Sequence, residues 1–156
     1  MNETKSARKD TWTPASVSRR ALLVLGAGVA TCACSAGSGA PPDPIGDVAS
    51  VNVSALPIGS LEPVGTLPVC IARDAHGVYA MTLTCTHAGC NIAQQGAVSP
   101  RGVSCGCHGS QFSTNGDVLR GPAAEPLSHF AVTKDTAGNL TIHGGQIVAA
   151  DARLLV

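Results

Sequence analysis

The chain has 156 residues, which is enough for one domain and an appendage. Its composition is 44% hydrophobic but only 3% aromatic, with 18 glycines and 10 prolines. Small aliphatic residues between many turns favour short β-strands over long helices. The formal net charge is zero, but the first 20 residues carry five basic and two acidic side chains, so the rest of the chain is mildly acidic. A nucleic-acid partner, which requires clustered positive charge, is therefore not expected.

The first 34 residues have the features of an export signal or anchor. Arg19 and Arg20 immediately precede the uncharged apolar run 21–30, as in a bacterial twin-arginine signal. An ordinary basic leader or an unstructured tail is the alternative. We expect an exported bacterial protein in the periplasm or on the outer face of the cytoplasmic membrane. Such an oxidising compartment permits disulfide bonds.

Three fates of this N-terminal segment are open. Cys32 and Cys34 lie in a sequence similar to a lipobox, so each is a candidate for lipidation. An uncleaved membrane anchor is the second possibility, although four glycines make residues 21–40 a poor membrane span. A free soluble protein is the third. Residues 35–48, rich in proline and small side chains, are expected to form a flexible linker to a domain at 49–156.

Alternating apolar residues predict β-hairpins in this domain. The runs 69–73 and 78–83 flank a turn that ends in glycine, and the runs 130–134 and 139–143 flank a second turn. Shorter strands are expected at 51–53, on both sides of a turn at 99–102, and at 117–119. The sequence therefore predicts an all-β domain.

Three residues that could bind a metal, one cysteine and two histidines, are predicted to have only structural roles. Cys70 lies inside a predicted strand, where a lone cysteine is usually a small buried hydrophobe. His129 and His143 are interpreted as ordinary residues at strand edges. No metal is expected at these positions.

The densest cluster of soft metal ligands lies in two short segments. Residues 85–90 read CTHAGC and residues 105–110 read CGCHGS. Two loops with these sequences, brought together, would offer two cysteines and two histidines to a metal. A tetrahedral zinc site is the simplest interpretation, but zinc sites usually pair C-x-x-C with H-x-x-x-H and do not mix Cys and His within each segment. One further cysteine per segment is left over.

The pattern C-x-H-x-G-C followed by C-x-C-H-x-S resembles the Rieske iron-sulfur family. The resemblance implies an all-β fold, an antiparallel β-sandwich with a small cluster-binding subdomain of loops and short strands. It also implies one 2Fe-2S cluster, with Cys85 and Cys105 on one iron and His87 and His108 on the other. Zinc held by the same four residues is the alternative.

The same resemblance assigns roles to the neighbouring residues. Cys90 and Cys107 would form the disulfide that joins the two loops in the high-potential branch of the family. Soluble ferredoxins of the oxygenase type generally lack this cysteine pair. The resemblance therefore places the chain in the disulfide-containing branch.

Five residues are expected to tune the cluster. Gly89 and Gly109 allow backbone amides to approach the sulfurs closely. Ser110 would donate a hydrogen bond to a bridging sulfide, and Pro122 lies in a Gly-Pro loop that would close over the cluster. Phe112 stands where quinol-oxidising members commonly carry tyrosine. Losing that hydroxyl donor should lower the midpoint potential.

The resemblance implies one-electron transfer from quinol or another membrane redox partner to a cytochrome c-like acceptor. The implied partners are cytochrome b and cytochrome c-like proteins. A stand-alone exported carrier, such as the small subunit of arsenite oxidase, is the alternative. Ala88 replaces a bulky apolar residue at the tip, which leaves the partner complex open. No separate catalytic constellation is predicted, so any oxidoreductase activity would belong to a complex.

Overall fold

The computed structural model describes residues 45–156, which form two antiparallel β-sheets and one short helix. The signal or anchor predicted at 1–34, with its arginine pair and both lipidation candidates, lies outside the described residues, as does most of the predicted linker. Across the part of the chain that is described, we find no helix with the length and hydrophobicity needed to span a membrane.

The larger sheet contains β1 (Asp47–Asn52), β2 (Leu61–Pro63), β3 (Val69–Asp74), β4 (Gly77–Thr82), β9 (His129–Lys134) and β10 (Asn139–Val148). Its strands lie in the order β1-β10-β9-β4-β3-β2. The smaller sheet contains β5 (Gly96–Ser99), β6 (Gly102–Cys105), β7 (Gln111–Phe112) and β8 (Val118–Arg120), in that order. A 3-10 turn (Val53–Ala55) follows β1, and helix α1 (Ile92–Gln95) precedes β5. The predicted all-β antiparallel fold is confirmed.

The central hairpin, β3 and β4, is buried on both faces because its alternate side chains pack into two different cores. Ile71 and Ala80 lie in one core, on one face of the larger sheet. Cys70 and Met81 lie in the other, together with residues of the smaller sheet. Burial on both faces explains why these strands read as nearly continuous apolar runs. The second core lies directly beneath the two cysteine-histidine segments.

Both predicted hairpins form, with Asp74 opposite Gly77 at the first turn and β9 paired with β10 in the second. The first strand begins at Asp47, two residues before the predicted domain start. Four short elements were not predicted: the 3-10 turn, β2, α1 and β7 have three, three, four and two residues. Elements this short show no periodicity that sequence reasoning could detect.

The prediction that His129 and His143 are strand-edge residues is wrong. His129 is 2% exposed, and its ring stacks on Tyr79 with ring centroids 5.6 Å apart. Its Nε2 lies 3.0 Å from the carbonyl oxygen of Asn115. His143 lies in β10, an inner strand of the larger sheet. Local sequence does not reveal which strands end up at the edge of a sheet.

Burial of His129 makes stability depend on pH. Burial, the largest cause, lowers the pKa of His129, although the bond to the Asn115 carbonyl acts in the opposite direction. The unfolded chain therefore takes up a proton that the folded chain does not, once the pH falls to about 6.5 and below. The free energy of unfolding decreases as the pH falls through this window.

His129→Phe keeps an aromatic ring against Tyr79 and removes the titrating group. We expect the unfolding free energy of the unchanged protein to fall between about pH 7.5 and about pH 5 more steeply than that of the variant. Urea denaturation at several pH values measures both slopes. Parallel pH profiles for the two proteins would contradict this account.

Candidate metal centre

The two cysteine-histidine segments form the same turn twice. We call residues 85–90 the first loop and residues 105–110 the second loop. In both, the N–H of position one donates to the carbonyl of position six, and the N–H of the glycine at position five donates to the carbonyl of position one. These bonds are Cys85 to Cys90 (2.9 Å), Cys105 to Ser110 (2.9 Å), Gly89 to Cys85 (2.8 Å) and Gly109 to Cys105 (3.1 Å). Both glycines have positive φ, +73° and +80°, which favours glycine at position five.

Cys85 and Cys105 occupy position one of their loops and are 3% and 2% exposed. Neither forms a disulfide, and their side chains contact each other. Burial raises the pKa of the Cys85 thiol and the Cys105 thiol raises it further, whereas the His87 amide and the Ser110 hydroxyl act to lower it. Two adjacent buried thiols ionise together only when a cation compensates their charge. The pair therefore suits a metal-bound group.

His87 and His108 are exposed at the tips of the two loops. Their ring centroids lie 4.7 Å apart and their planes are inclined by 79°. His87 is the third residue of its loop and His108 the fourth, so equivalent turns deliver the imidazoles from different positions. The structure thus brings the two candidate thiols into contact and the two candidate imidazoles close to each other, with the thiols buried and the imidazoles exposed.

The predicted disulfide between Cys90 and Cys107 is confirmed. It joins the two loops, with the Cα atoms 6.7 Å apart and a sequence separation of 17. The Cys105 sulfur lies within 4.8 Å of both disulfide sulfurs. Because disulfide sulfurs are not thiolates, these three cysteines do not form a separate metal site.

The Gly-Pro loop is hydrogen-bonded to both loops. The Ala123 N–H donates to the Ser110 hydroxyl oxygen (3.0 Å), and the Thr86 hydroxyl donates to the Glu125 carbonyl (2.7 Å). Ser110 is fully buried, and its hydroxyl also contacts the Cys85 thiol. Pro122 follows a cis peptide bond and is exposed beside the loops. The loop is thereby held next to the four predicted ligands.

Helix α1 attaches the second loop to the larger sheet through residues that the sequence analysis missed. Asn91 caps the helix, and its side-chain amide donates to the Thr66 carbonyl (3.1 Å), as does that of Gln94 (3.2 Å). The Gly106 N–H donates to the Gln95 carbonyl (2.8 Å), and a Cβ at position 106 would overlap that oxygen. An asparagine before a helical turn was the one available sequence signal.

Phe112 lies beneath the loops. It is 1% exposed, stands opposite Val103 and Val118 in the smaller sheet, and belongs to the same core cluster as the Cys85 and Cys105 thiols. The buried side of the site is therefore apolar at residue 112, the position at which quinol-oxidising members of the family commonly carry tyrosine.

The disulfide closes a loop of 17 residues, so its loss should reduce stability. Replacing Cys90 and Cys107 together by alanine is expected to lower the free energy of unfolding by about 3 kcal/mol, because the unfolded chain regains the conformational freedom of that loop. Urea denaturation with and without reductant measures the effect. Reductant should destabilise the unchanged protein and leave the double variant unaffected. Two titratable thiols at these positions in the oxidised protein would refute the prediction.

The Rieske [2Fe-2S] domain model matches residues 48–131, more than half of the chain. Among curated proteins, the cytochrome b6-f complex iron-sulfur subunit of Cyanothece sp. (strain PCC 7425 / ATCC 29141) is 39% identical over 69 residues. That match covers 42% of this chain and 37% of the relative, so the chain spans little more than a third of the relative's length.

Two solved structures are also similar. A cyanobacterial plasma membrane Rieske protein from Synechocystis PCC 6803 is 28% identical with a TM-score of 0.41, covering 53% of this chain and 82% of that one. A complex of reduced oxygenase and oxidized ferredoxin in carbazole 1,9a-dioxygenase gives 23% identity and a TM-score of 0.48, covering 66% of this chain and 96% of that one. Since the family match extends over more than half of the sequence, the protein belongs to the Rieske family and is an electron carrier with one 2Fe-2S cluster.

Proposed function

We propose that Cys85 and Cys105 bind one iron of the cluster and that His87 and His108 bind the other. One observation carries this assignment: two buried thiols in contact lie on the inner side of the paired loops, and two exposed imidazoles lie 4.7 Å apart on the outer side. Sulfur and nitrogen donors separated in this way match the asymmetric ligation of a Rieske centre.

The other candidate donors in the described part of the chain are placed elsewhere. Burial raises the pKa of the Cys70 thiol to about 12, and its Sγ lies 3.6 Å from the Met81 carbonyl oxygen. His129 is engaged with Asn115, and His143 contacts Asp47 at 3.0 Å. The two other cysteines beside the proposed ligands, Cys90 and Cys107, are joined in the disulfide and offer no thiolate.

The surrounding residues hold the thiolates and control access to them. When bound, the cluster supplies a redox couple that accepts and releases one electron. The His87 amide and the Ser110 hydroxyl donate hydrogen bonds to the Cys85 sulfur, which favours the more negative, reduced state. Phe112 and Ala123, 1% and 5% exposed, exclude water from the thiolate side. The exposed imidazoles leave the other side open to a redox partner.

We propose that the electron comes from quinol or another membrane redox partner and passes to a cytochrome c-like acceptor. The named role of the Cyanothece relative, a cytochrome b6-f subunit, supports this route. A stand-alone exported carrier, such as an oxidase small subunit, is the second candidate. Ala88 favours it, because this exposed tip residue has no large apolar side chain to fill a partner's pocket.

We also propose that the protein is exported by the twin-arginine route and tethered to the membrane, either through lipid at Cys34 or Cys32 or by an uncleaved N-terminal anchor. The Cys90–Cys107 disulfide supports an oxidising location. The proline-rich segment 35–48 would then link the anchor to the electron-carrying domain.

Electron paramagnetic resonance of the reduced full-length protein tests the ligand assignment. We expect an average g value below that of the free electron, as imidazole ligation produces. Alanine at any one of the four ligands should abolish the signal. Cys70→Ala and His76→Ala are the controls, since neither residue lies at the site. A surviving signal in any ligand variant, or zinc in place of iron, would overturn the assignment.

Purification of the tagged full-length chain from membranes tests the proposed route. A co-purified cytochrome b supports a subunit of a quinol-oxidising complex. Recovery with an oxidase subunit and without cytochrome b supports the stand-alone carrier. Recovery of an unprocessed, unlipidated protein in the periplasmic fraction would contradict membrane attachment.

The contacts of Ser110 predict its effect on the midpoint potential. Ser110→Ala removes a donor to the Cys85 sulfur and should lower the potential by roughly 50 mV, corresponding to one hydrogen bond of about 1 kcal/mol. Phe112→Tyr should raise it by adding a donor. Ser99→Ala, at the end of β5, is the matched control. Potentiometric titrations that give equal values for all four proteins would refute this account.

A further inference from the structure

We propose that Arg153 is a positioning residue of the metal centre: it holds the loop between β7 and β8 against the larger sheet and so keeps water away from the buried thiolate side. We call residues 113–117 the β7–β8 loop and residues 149–156, which follow β10 and contain Arg153, the strap. The inference rests on the proposed function, because it adds a residue that acts on the redox potential of the same centre.

The strap is attached to the larger sheet beside β4. Strand β9 pairs with the second half of β4, at Ala80 and Met81. In the first half of β4, Val78 and Leu154 exchange two backbone hydrogen bonds, with N–H to carbonyl distances of 2.9 and 2.8 Å. A Cβ at position 77 would overlap the Leu154 carbonyl oxygen, so the strap lies very close to β4. The strap therefore takes the place of β9 along this part of the strand.

The side chain of Arg153 joins the strap to two other segments of the domain. It is largely buried, at 12% exposed, and its Nη1 donates to the strap carbonyls of Ala150 and Ala152 at 2.8 and 2.9 Å. Its Nε donates to Asp74 Oδ2 at 2.7 Å, in the turn between β3 and β4. Its Nη2 donates to Asn115 Oδ1 at 2.7 Å, in the β7–β8 loop. One guanidinium thus fixes three segments that are distant in sequence.

The guanidinium also supports the β7–β8 loop through an aromatic ring. Its Cζ lies 3.9 Å from the centroid of the Tyr79 ring, a favourable contact between a cation and an aromatic face. The Tyr79 hydroxyl donates to the Thr114 carbonyl at 2.9 Å. The His129 ring stacks on Tyr79, and its Nε2 lies 3.0 Å from the carbonyl oxygen of Asn115. Arg153 therefore holds the loop directly at Asn115 and indirectly through the ring that binds Thr114.

The β7–β8 loop connects two residues that pack beneath the metal centre. Phe112 precedes the loop, Val118 follows it, and the two are paired across β7 and β8. Both pack in the core that contains the Cys85 and Cys105 thiols. Movement of the loop would therefore displace the apolar side chains that separate these thiols from water.

Water at the thiolate side and the charge of Arg153 act on the midpoint potential in opposite directions. Reduction adds one negative charge, which water stabilises, so a displaced loop should raise the potential. Loss of the Arg153 charge alone should lower the potential, because a nearby cation favours the more negative, reduced state. The sign of the change therefore distinguishes a positioning role from a purely electrostatic one.

Two variants release the loop without changing the net charge. Asn115→Ala removes the acceptor of the Arg153 bond, and Arg153→Lys keeps the charge but loses the planar group that reaches Asp74 and Asn115 together. Each should accelerate hydrogen exchange of the loop amides about tenfold, since a hydrogen bond to a charged group is lost. Mass spectrometry of peptides that contain residues 113–127 measures this rate. Asn115→Asp keeps an acceptor for Arg153 and should leave exchange slow.

The same two variants should raise the midpoint potential of the full-length protein. We expect the one-electron equilibrium with a reference couple to shift about threefold toward the reduced protein, which is about 30 mV at about 59 mV per tenfold. Potentiometric titration measures the shift. The resonance signal of each variant is recorded alongside, so that a damaged centre is not mistaken for a displaced loop.

Arg73→Lys is the matched control. Arg73 also lies in the larger sheet and donates to a backbone carbonyl, but its partner is Leu56 at 3.1 Å and not the β7–β8 loop. We expect a loss of stability in urea similar to that of Arg153→Lys. Exchange of the loop amides and the midpoint potential should both stay at the values of the unchanged protein.

Unchanged loop exchange in both Asn115→Ala and Arg153→Lys would overturn the proposal. Faster loop exchange with an unchanged or lower potential would also overturn it, because the loop would then have only a structural role. The same is true if Arg73→Lys changes the potential equally. If Arg153→Lys cannot be purified, Asn115→Ala decides alone. Failure of the proposed function differs from all of these, because the unchanged protein itself would lack the resonance signal, and the effect on the potential would be overturned with it.

Discussion

The contact between the Cys85 and Cys105 thiols is the feature on which the rest of the site depends. Both thiols are buried, and burial raises the pKa of the Cys85 thiol, so a bound cation held in a rigid frame would favour its thiolate. Two equivalent turns supply the frame, each closed by the same pair of backbone hydrogen bonds. The Cys90–Cys107 disulfide and the Gly-Pro loop then fix the turns against each other.

The equivalent turns also explain how an asymmetric centre arises from a repeated shape. Position one holds a cysteine in both loops, whereas the imidazole comes from position three in the first loop and position four in the second. The difference leaves position three of the second loop to Cys107, which reaches Cys90 across the site. Two similar backbones thus present buried thiols inward and exposed imidazoles outward, which is the arrangement that the proposed ligand set uses.

Alternation of side chains along the strands determines how the domain supports the site. The hairpin β3–β4 sends alternate side chains into two cores, so the metal centre rests on the same strands that hold the larger sheet together. The smaller sheet buries the row of Val98, Val103, Phe112 and Val118 against the core beneath the site and leaves the row of Ala97, Ser104, Gln111 and Arg120 on its other face.

The sequence alone determined both hairpins, because turn residues and apolar alternation act over a few positions, and its resemblance to the Rieske family implied the disulfide pairing and the candidate ligands. Only the tertiary structure decided that His129 is buried and that the Thr66 carbonyl anchors helix α1. The bond from Asn91 to Thr66 spans 25 residues, and sheet order and register are likewise set by contacts between distant segments. Contacts of that kind depend on how whole strands pack, and no local pattern in the sequence encodes them.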